Sequence, residues 1–377
     1  MILTQCAVCA TDLGLTLGKK CGRCSTRYCG PECQVQHWKE GGHDQLCKPI
    51  KKAGGAEQYN ANKKYSEAVT VAAEACADDT KGQTCYICTQ AVHRHTKEGL
   101  VRMCACRGTS GFAHVSCLAE QAKILVAEVE ENNLGHEAFN ERWTRWYSCS
   151  LCEQGYHGVV ACALGWACWK TYVGRPDADS ARRLAMTMLG NGLSEAKHYE
   201  DALTVEEAMF SMQQRLGDSE SNTLVTLGNL AVTYQALGQL EKSLSMKRDV
   251  YSGWVDLFGE EHPETLREGI NYANCLVQML RFKEAKALLR KTMPAARRVL
   301  GENHDIPLEM RSMYAQALCR DPAATLDDLR EAVTTLEDTE RTARRLLGGS
   351  HPVAAEIEKS LRIARAALRA RDTPGSA

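Results

Sequence analysis

The sequence predicts a mainly α chain, two small cysteine-rich modules followed by an α-solenoid of helix–turn–helix repeats. Three observations predict it. Fourteen of the 19 cysteines belong to two separate arrays of eight Cys/His positions within the first 152 residues. In the C-terminal half a Leu/Phe–Gly step recurs every 42 residues. That half is also crowded with Ala, Leu, Glu and Arg, while aromatics make up only 6% of the chain, as suits helices packed through small residues. A length of 377 residues leaves room for about two or three domains.

The first array is Cys6-x2-Cys9, Cys21-x2-Cys24, Cys29-x3-Cys33 and His43-x3-Cys47. The second is Cys85-x2-Cys88, Cys104-x-Cys106, His114-x2-Cys117 and Cys149-x2-Cys152. Each holds seven Cys and one His, enough for two tetrahedral zinc sites, so four Zn2+ ions per chain are expected. Sites filled by four protein ligands are structural and do not activate water. Each array is expected to fold as its own unit on its metal. A disulfide framework is the competing reading, but secreted scaffolds lack Cys-x2-Cys knuckles alternating with His. The opening Met1-Ile2-Leu3-Thr4-Gln5-Cys6 has no basic and apolar leader pattern, which points to a reducing, intracellular setting, cytoplasmic or nuclear. Cys76, Cys162, Cys168, Cys275 and Cys319 are left over and read as small buried apolar residues.

Residues 6–47, with Tyr28-Cys29, Cys33-Gln34 and Trp38 in their expected places, resemble a MYND zinc finger. The resemblance implies a cross-brace. Cys6, Cys9, Cys29 and Cys33 would share one ion, and Cys21, Cys24, His43 and Cys47 the other. So short a segment buries too little apolar surface to fold alone, and each structural zinc adds about 10–16 kcal/mol. His37 competes with His43 as a ligand. The His-x3-Cys pattern favours His43, one helical turn from Cys47, with both histidines expected on one C-terminal helix that Gly41-Gly42 loosens. The resemblance also implies binding of short proline-containing peptides, with Gln34 and Trp38 lining the groove. In the alternative, Trp38 covers the second zinc site. Residues 48–84 read as a helical linker, with a hinge at Lys51-Lys52-Ala53-Gly54-Gly55 and a helix over 57–77 that spaces the two modules.

Residues 85–152 resemble a RING-CH finger, most of all in the run Cys104-Ala-Cys106-Arg107-Gly108-Thr109-Ser110-Gly111-Phe112-Ala113-His114-Val115-Ser116-Cys117-Leu118. A PHD-type finger usually has a wider gap between its third and fourth ligands. The resemblance implies Cys85, Cys88, His114 and Cys117 on one ion, and Cys104, Cys106, Cys149 and Cys152 on the other. It further implies docking of a ubiquitin-conjugating enzyme, which is positioning rather than acid–base chemistry. Ile87 fits the apolar docking position between the first two ligands. Gln121 stands where the family commonly has Trp, and Ser150-Leu151 and Glu153 where it has a basic residue or Pro. Trp143 and Trp146 are candidates for the missing aromatic surface. His93 and His95 read as exposed loop histidines beside a full array. Apolar residues at 118, 122, 125, 126 and 129 predict an amphipathic helix, followed by a return strand through Trp143, Trp146 and Tyr147.

Residues 153–176 form an apolar connector. Its run from Gly158 to Trp169 is shorter than the roughly 20 residues of a membrane span and reads as a buried helix or strand. From residue 177 to 371 the chain repeats. Leu216-Gly217, Phe258-Gly259 and Leu300-Gly301 are 42 residues apart, and Leu347-Gly348 follows after 47. Leu224, Leu266 and Leu308 each lie seven residues beyond a Gly, and second helices are expected to start at Tyr199, Leu240 and Phe282. This period reads as a tetratricopeptide array. With Glu260-Glu261-His262-Pro263 and Gly349-Ser350-His351-Pro352 it resembles the kinesin-light-chain type. His262 and His351 read as helix-start residues before Pro. Asp321-Pro322 and Asp327-Asp328 are expected in a loop that stretches the last period. The final helix, 352–371, is a cap whose Arg362, Arg365, Arg369 and Arg371 form a solvated face or a site for an acidic partner, and 372–377 is a disordered tail.

No phosphate-binding glycine loop or nucleophilic triad can be singled out, and the repeats leave no room for the SET methyltransferase domain that MYND fingers also accompany. A net charge of −1 gives no field for nucleic acid or an anionic membrane. The partners expected are proteins and short peptides. Two functions stay open. One is a RING-type ubiquitin ligase that recruits clients through its repeats and MYND finger. The other is a non-enzymatic scaffold. Ile87 favours the first, Gln121 and Glu153 the second.

Overall fold

The computed structural model describes residues 4–14, 17–349 and 351–372. The chain divides into two compact units, residues 1–218 and 219–377. Among the described residues regular structure is almost wholly helical, beside one two-stranded sheet.

The first unit opens with the sheet, β1 (Lys19–Lys20) against β2 (Arg27–Tyr28), antiparallel with Lys19 opposite Tyr28. Helices α1 (Pro31–Lys39) and α2 (His43–Lys52) come next. The single helix expected across His37 and His43 is thus two helices. Gly42 breaks it with φ 70°, a left-handed conformation that glycine adopts freely. The core here is tiny: Leu13, Tyr28, Ile50 and Ala56 around four buried cysteines.

Helix α3 (Ala56–Ala75) starts right after Gly54-Gly55, its first N–H on the Cys24 carbonyl at 3.1 Å. Next come α4 (Val115–Asn132), α5 (Gly135–Trp143) and a 3-10 turn over Thr144–Trp146. The expected return strand is therefore helical. Phe139, Trp143 and Trp146 are spaced four and three apart and turn onto one face, where Trp143 stacks on Phe139 at 5.5 Å and packs on Tyr172 at 5.3 Å. Their β-prone character yields to that burial.

The apolar connector is helix α6 (Gly158–Tyr172), buried almost all round, and α7 (Ser180–Glu195) and α8 (Tyr199–Leu216) complete the unit. Nor does α3 act as a free spacer. Its Val69 and Ala72 share one core with Cys85, Phe112, Cys149 and, from α6, Val160 and Leu164. The second cysteine module is therefore built onto helices of distant sequence rather than folded by itself.

The second unit holds α9 (Glu220–Ala236), α10 (Leu240–Phe258), α11 (Pro263–Gln278), α12 (Phe282–Leu300), α13 (Asp305–Arg320), α14 (Leu326–Leu347) and α15 (Pro352–Asp372). Successive helices pack as antiparallel pairs through fully buried alanines such as Ala273, Ala285, Ala315 and Ala332. Second helices begin at Leu240 and Phe282 and end at Gly259, Gly301 and Gly348, as the repeat requires. His262 and His351 cap α11 and α15, each ring Nδ1 accepting from the N–H two residues on, and His304 does the same for α13 without a following Pro. Asp327 and Asp328 are not loop residues. They form the first turn of α14, where Asp328 and Thr325 make a reciprocal capping box. The α15 arginines are more than a solvated face: Arg365 pairs with Glu337 at 2.7 Å and Arg371 donates to the Pro322 carbonyl at 3.0 Å. Asp372 ends that helix, while residues 373–377 of the expected tail, like Ser350, lie outside the described residues.

Glu309 on α13 carries a pH signature. Burial first, and Asp305 second, push its carboxyl up to about 7, against the pull of Arg267. The folded state thus favours the protonated form. Its stability contribution is complete below the unfolded carboxyl range and is lost as pH rises towards 7. Glu309→Gln is expected to match wild type at pH 4 and to be more stable at pH 8 by about 1–2 kcal/mol, residual solvent access being allowed for. Denaturation at both pH values checks this, and equal stability at pH 8 would contradict it.

Candidate metal centres and docking surfaces

Four Cys-x2-Cys knuckles shape the sites. At each, the first cysteine accepts from the residue four on and donates to the carbonyl five on, as Cys149 does with Glu153 and Gln154 at 2.9 Å each. The residue after each second cysteine then takes a positive φ: Ala10 56°, Ser25 63°, Thr89 62° and Glu153 58°. Strain of this kind persists where the surroundings enforce it. No residue type signals it in advance, since none of the four is glycine.

The folded chain gathers four ligand sets: Cys6, Cys9, Cys29, Cys33; Cys21, Cys24, His43, Cys47; Cys85, Cys88, His114, Cys117; and Cys104, Cys106, Cys149, Cys152. In each, all donor atoms lie within 4.8 Å of one another. Interleaving is that of a cross-brace in both modules. Tetrahedral zinc with Zn–S bonds of about 2.3 Å requires S–S edges of about 3.8 Å. Cys21–Cys47 at 3.9 Å, Cys106–Cys149 at 3.7 Å and Cys9–Cys33 at 3.7 Å meet that. The imidazoles turn a ring nitrogen to the same centres, His43 Nε2 at 3.4 Å from Cys24 Sγ and His114 Nδ1 at 3.3 Å from Cys88 Sγ. The donor sets fit four zinc ions. His37 lies outside the sets, its Nδ1 on the Tyr28 hydroxyl at 3.0 Å. The last set depends on Gly111 (φ 83°), where a Cβ would come within 2.5 Å of Cys106 Cβ.

Two exposed apolar surfaces sit on these braces. On the first module, helix α1 buries none of its residues. Val35 and Trp38, 50% and 45% exposed, stand beside Gln34, and Leu46 of α2 is 39% exposed. One edge of Trp38 also lies over the His43 ring, with centroids 5.8 Å apart, so both roles considered for it find a contact or a surface. On the second module, Ile87 lines a groove with His93, Ser116, Gln121 and Ile124. Ile87 is 36% and Ile124 49% exposed. Trp143 and Trp146 are not part of this groove, because both are buried against Tyr172. Sequence reading misses Val35, Leu46 and Ile124, although the helical spacing from Gln121 to Ile124 is a usable signal. Of the leftover cysteines, Cys76, Cys162, Cys168 and Cys275 are buried and Cys319 is partly buried. No helix among the described residues is long and apolar enough to cross a membrane.

Comparison with known families gives a MYND finger over residues 6–47 and tetratricopeptide repeats over 223–264 and 271–305. No curated protein matches the chain. Among solved structures, a kinesin light chain with nearly identical TPR-like repeats from Podosopora anserina is 17% identical, with a TM-score of 0.34 over 69% of this chain and 99% of that one. BtubC (BKLC) from P. vanneervenii is 13% identical, with a TM-score of 0.37 over 70% of this chain and 94% of that one. The TPR2AB domain of yeast Sti1, in complex with pHSP90, is 13% identical, with a TM-score of 0.24 over 66% of this chain and 99% of that one.

Proposed function

We propose that this chain, with its MYND finger, tetratricopeptide repeats and four zinc-binding clusters, is a protein-interaction adaptor that takes short proline-containing peptides on α1. The observation that carries this reading is the exposure of Val35 and Trp38 on α1, a helix that buries none of its residues, with Leu46 exposed on the neighbouring α2. A rigid exposed aromatic gives large contact area at low entropic cost, the pattern of a binding anchor. In this reading α7 and α8 begin the repeat array, which runs over 177–371 and takes further clients, and the many zinc-binding thiols suit a reducing compartment. The test screens the full zinc-loaded chain against a proline-containing peptide library. Trp38→Ala is expected to weaken the selected peptides at least about 10-fold with zinc content unchanged. Peptides that bind the variant equally well would contradict the α1 assignment.

A second reading, a RING-type ubiquitin ligase, rests on Ile87. Its place beside Ile124 and Gln121 suits docking of a ubiquitin-conjugating enzyme. Gln121 lies in the same groove, where the family's aromatic would stand, and Glu153, bonded to the knuckle through its backbone N–H, exposes an acidic residue where the family has a basic residue or Pro. Ile87→Ala should then reduce ubiquitin transfer about 10-fold or more while leaving zinc in place. Absence of transfer by wild type with every conjugating enzyme in a panel would leave the adaptor reading alone.

A further inference from the structure

We propose that the Cys6/Cys9/Cys29/Cys33 centre is a peroxide-sensitive switch that releases α1. The inference rests on the α1 docking reading for its purpose but not for its chemistry. The four centres differ sharply in access. Cys9 and Cys29 are exposed and Cys33 is partly so, whereas no cysteine of the other three sets is exposed. A thiolate's reaction with peroxide depends on its access to solvent. Cys9 and Cys29, the two exposed ones, have their sulfurs 3.5 Å apart.

The step balances with a hydroperoxide as oxidant. One thiolate attacks a peroxide oxygen and the O–O bond breaks, giving a sulfenic acid and, for hydrogen peroxide, a hydroxide that takes up a proton to become water. The second thiolate then attacks the sulfenic sulfur, an S–S bond forms as the S–O bond breaks, and the departing hydroxide takes up a second proton from solvent and leaves as water. Two electrons pass from the thiolates to the peroxide, and Zn2+, left with two of its four thiolates, goes to solvent.

Helix α1 turns this loss of metal into a change of surface. It buries no residue. It is held by Cys33 at the centre, by the His37–Tyr28 hydrogen bond and by ring contacts of His37 and Trp38 with His43, leaving Cys33 as its one metal tether. Helix α2 keeps its own tether, His43 and Cys47 in the fully buried second set. Loss of the exposed ion therefore frees the face that carries Val35 and Trp38 and leaves α2 in place. Reductant and zinc reverse the change.

The experiment treats full zinc-loaded protein with hydrogen peroxide, monitors zinc release with a chromogenic chelator, maps disulfides by mass spectrometry, and measures hydrogen exchange over residues 31–39 and 43–52. The expected result is a first phase of about one zinc per chain, at least about 10-fold faster than the remaining three. A Cys9–Cys29 disulfide should accompany it, with faster exchange over 31–39 and unchanged exchange over 43–52. Release of all ions in one phase, a first disulfide elsewhere, or unchanged exchange over 31–39 would overturn the proposal. Repeating the series on Trp38→Ala separates the two readings. The switch should persist there, whatever becomes of peptide binding.

Discussion

Cys149→Ser is expected to unfold the second cysteine module and the helix ends packed on it, whereas Cys29→Ser should release only the α1 part of residues 6–47. The two changes remove the same chemistry, one thiolate from a four-thiolate set. Their consequences differ because of what surrounds each set. Cys149 is fully buried and belongs to the core that joins Phe112 and Cys85 to Val69 and Ala72 of α3 and to Val160 and Leu164 of α6. Weakening that zinc removes a share of about 10–16 kcal/mol, as much as the whole stability of an ordinary domain, about 5–15 kcal/mol. Helices α3 to α8 share a second core around Trp143, Trp166 and Leu189, so the loss falls first on the cysteine module and on the parts of α3, α4 and α6 packed against it. Cys29, by contrast, is exposed, and its module's core meets the first turn of α3 through Ala56 and Tyr59. Circular dichroism should show a larger loss of helix for Cys149→Ser than for Cys29→Ser. Equal losses would contradict the shared core.

Gly192→Ala should destabilise the protein by about 1–3 kcal/mol, opposite in sign to the usual effect of that change in a helix. Alanine ordinarily gains about 1 kcal/mol over glycine at an exposed helical position. Here a Cβ on Gly192 of α7 would sit 2.7 Å from the Ala161 carbonyl oxygen and 3.0 Å from Cys162 Cα, both backbone atoms of α6. Gly165 of α6 makes the reciprocal approach, with its would-be Cβ 2.8 Å from the Met188 carbonyl oxygen. Backbone cannot step aside as a flexible side chain does, so α6 and α7 must separate and open the core around Trp166 and Leu189. A lowered urea midpoint for either alanine variant is the expected reading, and a raised one would show that the helices have room to spare.

Cys149 and Gly192 mark where sequence reading succeeds and where it stops. The sixteen Cys and His positions that the fold gathers into four sets stand out by short spacings between a few residue types, while their interleaved pairing is what the family resemblances imply. Helix starts at Tyr199, Leu240 and Phe282 can be read because a 42-residue period repeats the same packing problem. What cannot be read is the joining of parts. Val69, Cys85, Cys149 and Val160 form one core across more than 80 residues, and no local pattern encodes that meeting. The tight α6–α7 approach is hidden likewise, since Gly165 and Gly192 look like ordinary glycines until their partner helix is known. The α5 helix escapes for a smaller reason. Its aromatic residues suggest a strand, and only the four-and-three spacing of Phe139, Trp143 and Trp146 points to a helix.

Both modules depend on bound metal, so the direct test is the zinc content of the intact folded chain. Native mass spectrometry should find four zinc ions per chain, one for each ligand set. A fully folded protein that carries two or fewer would contradict the account, because at least one module would then be held together by something other than zinc.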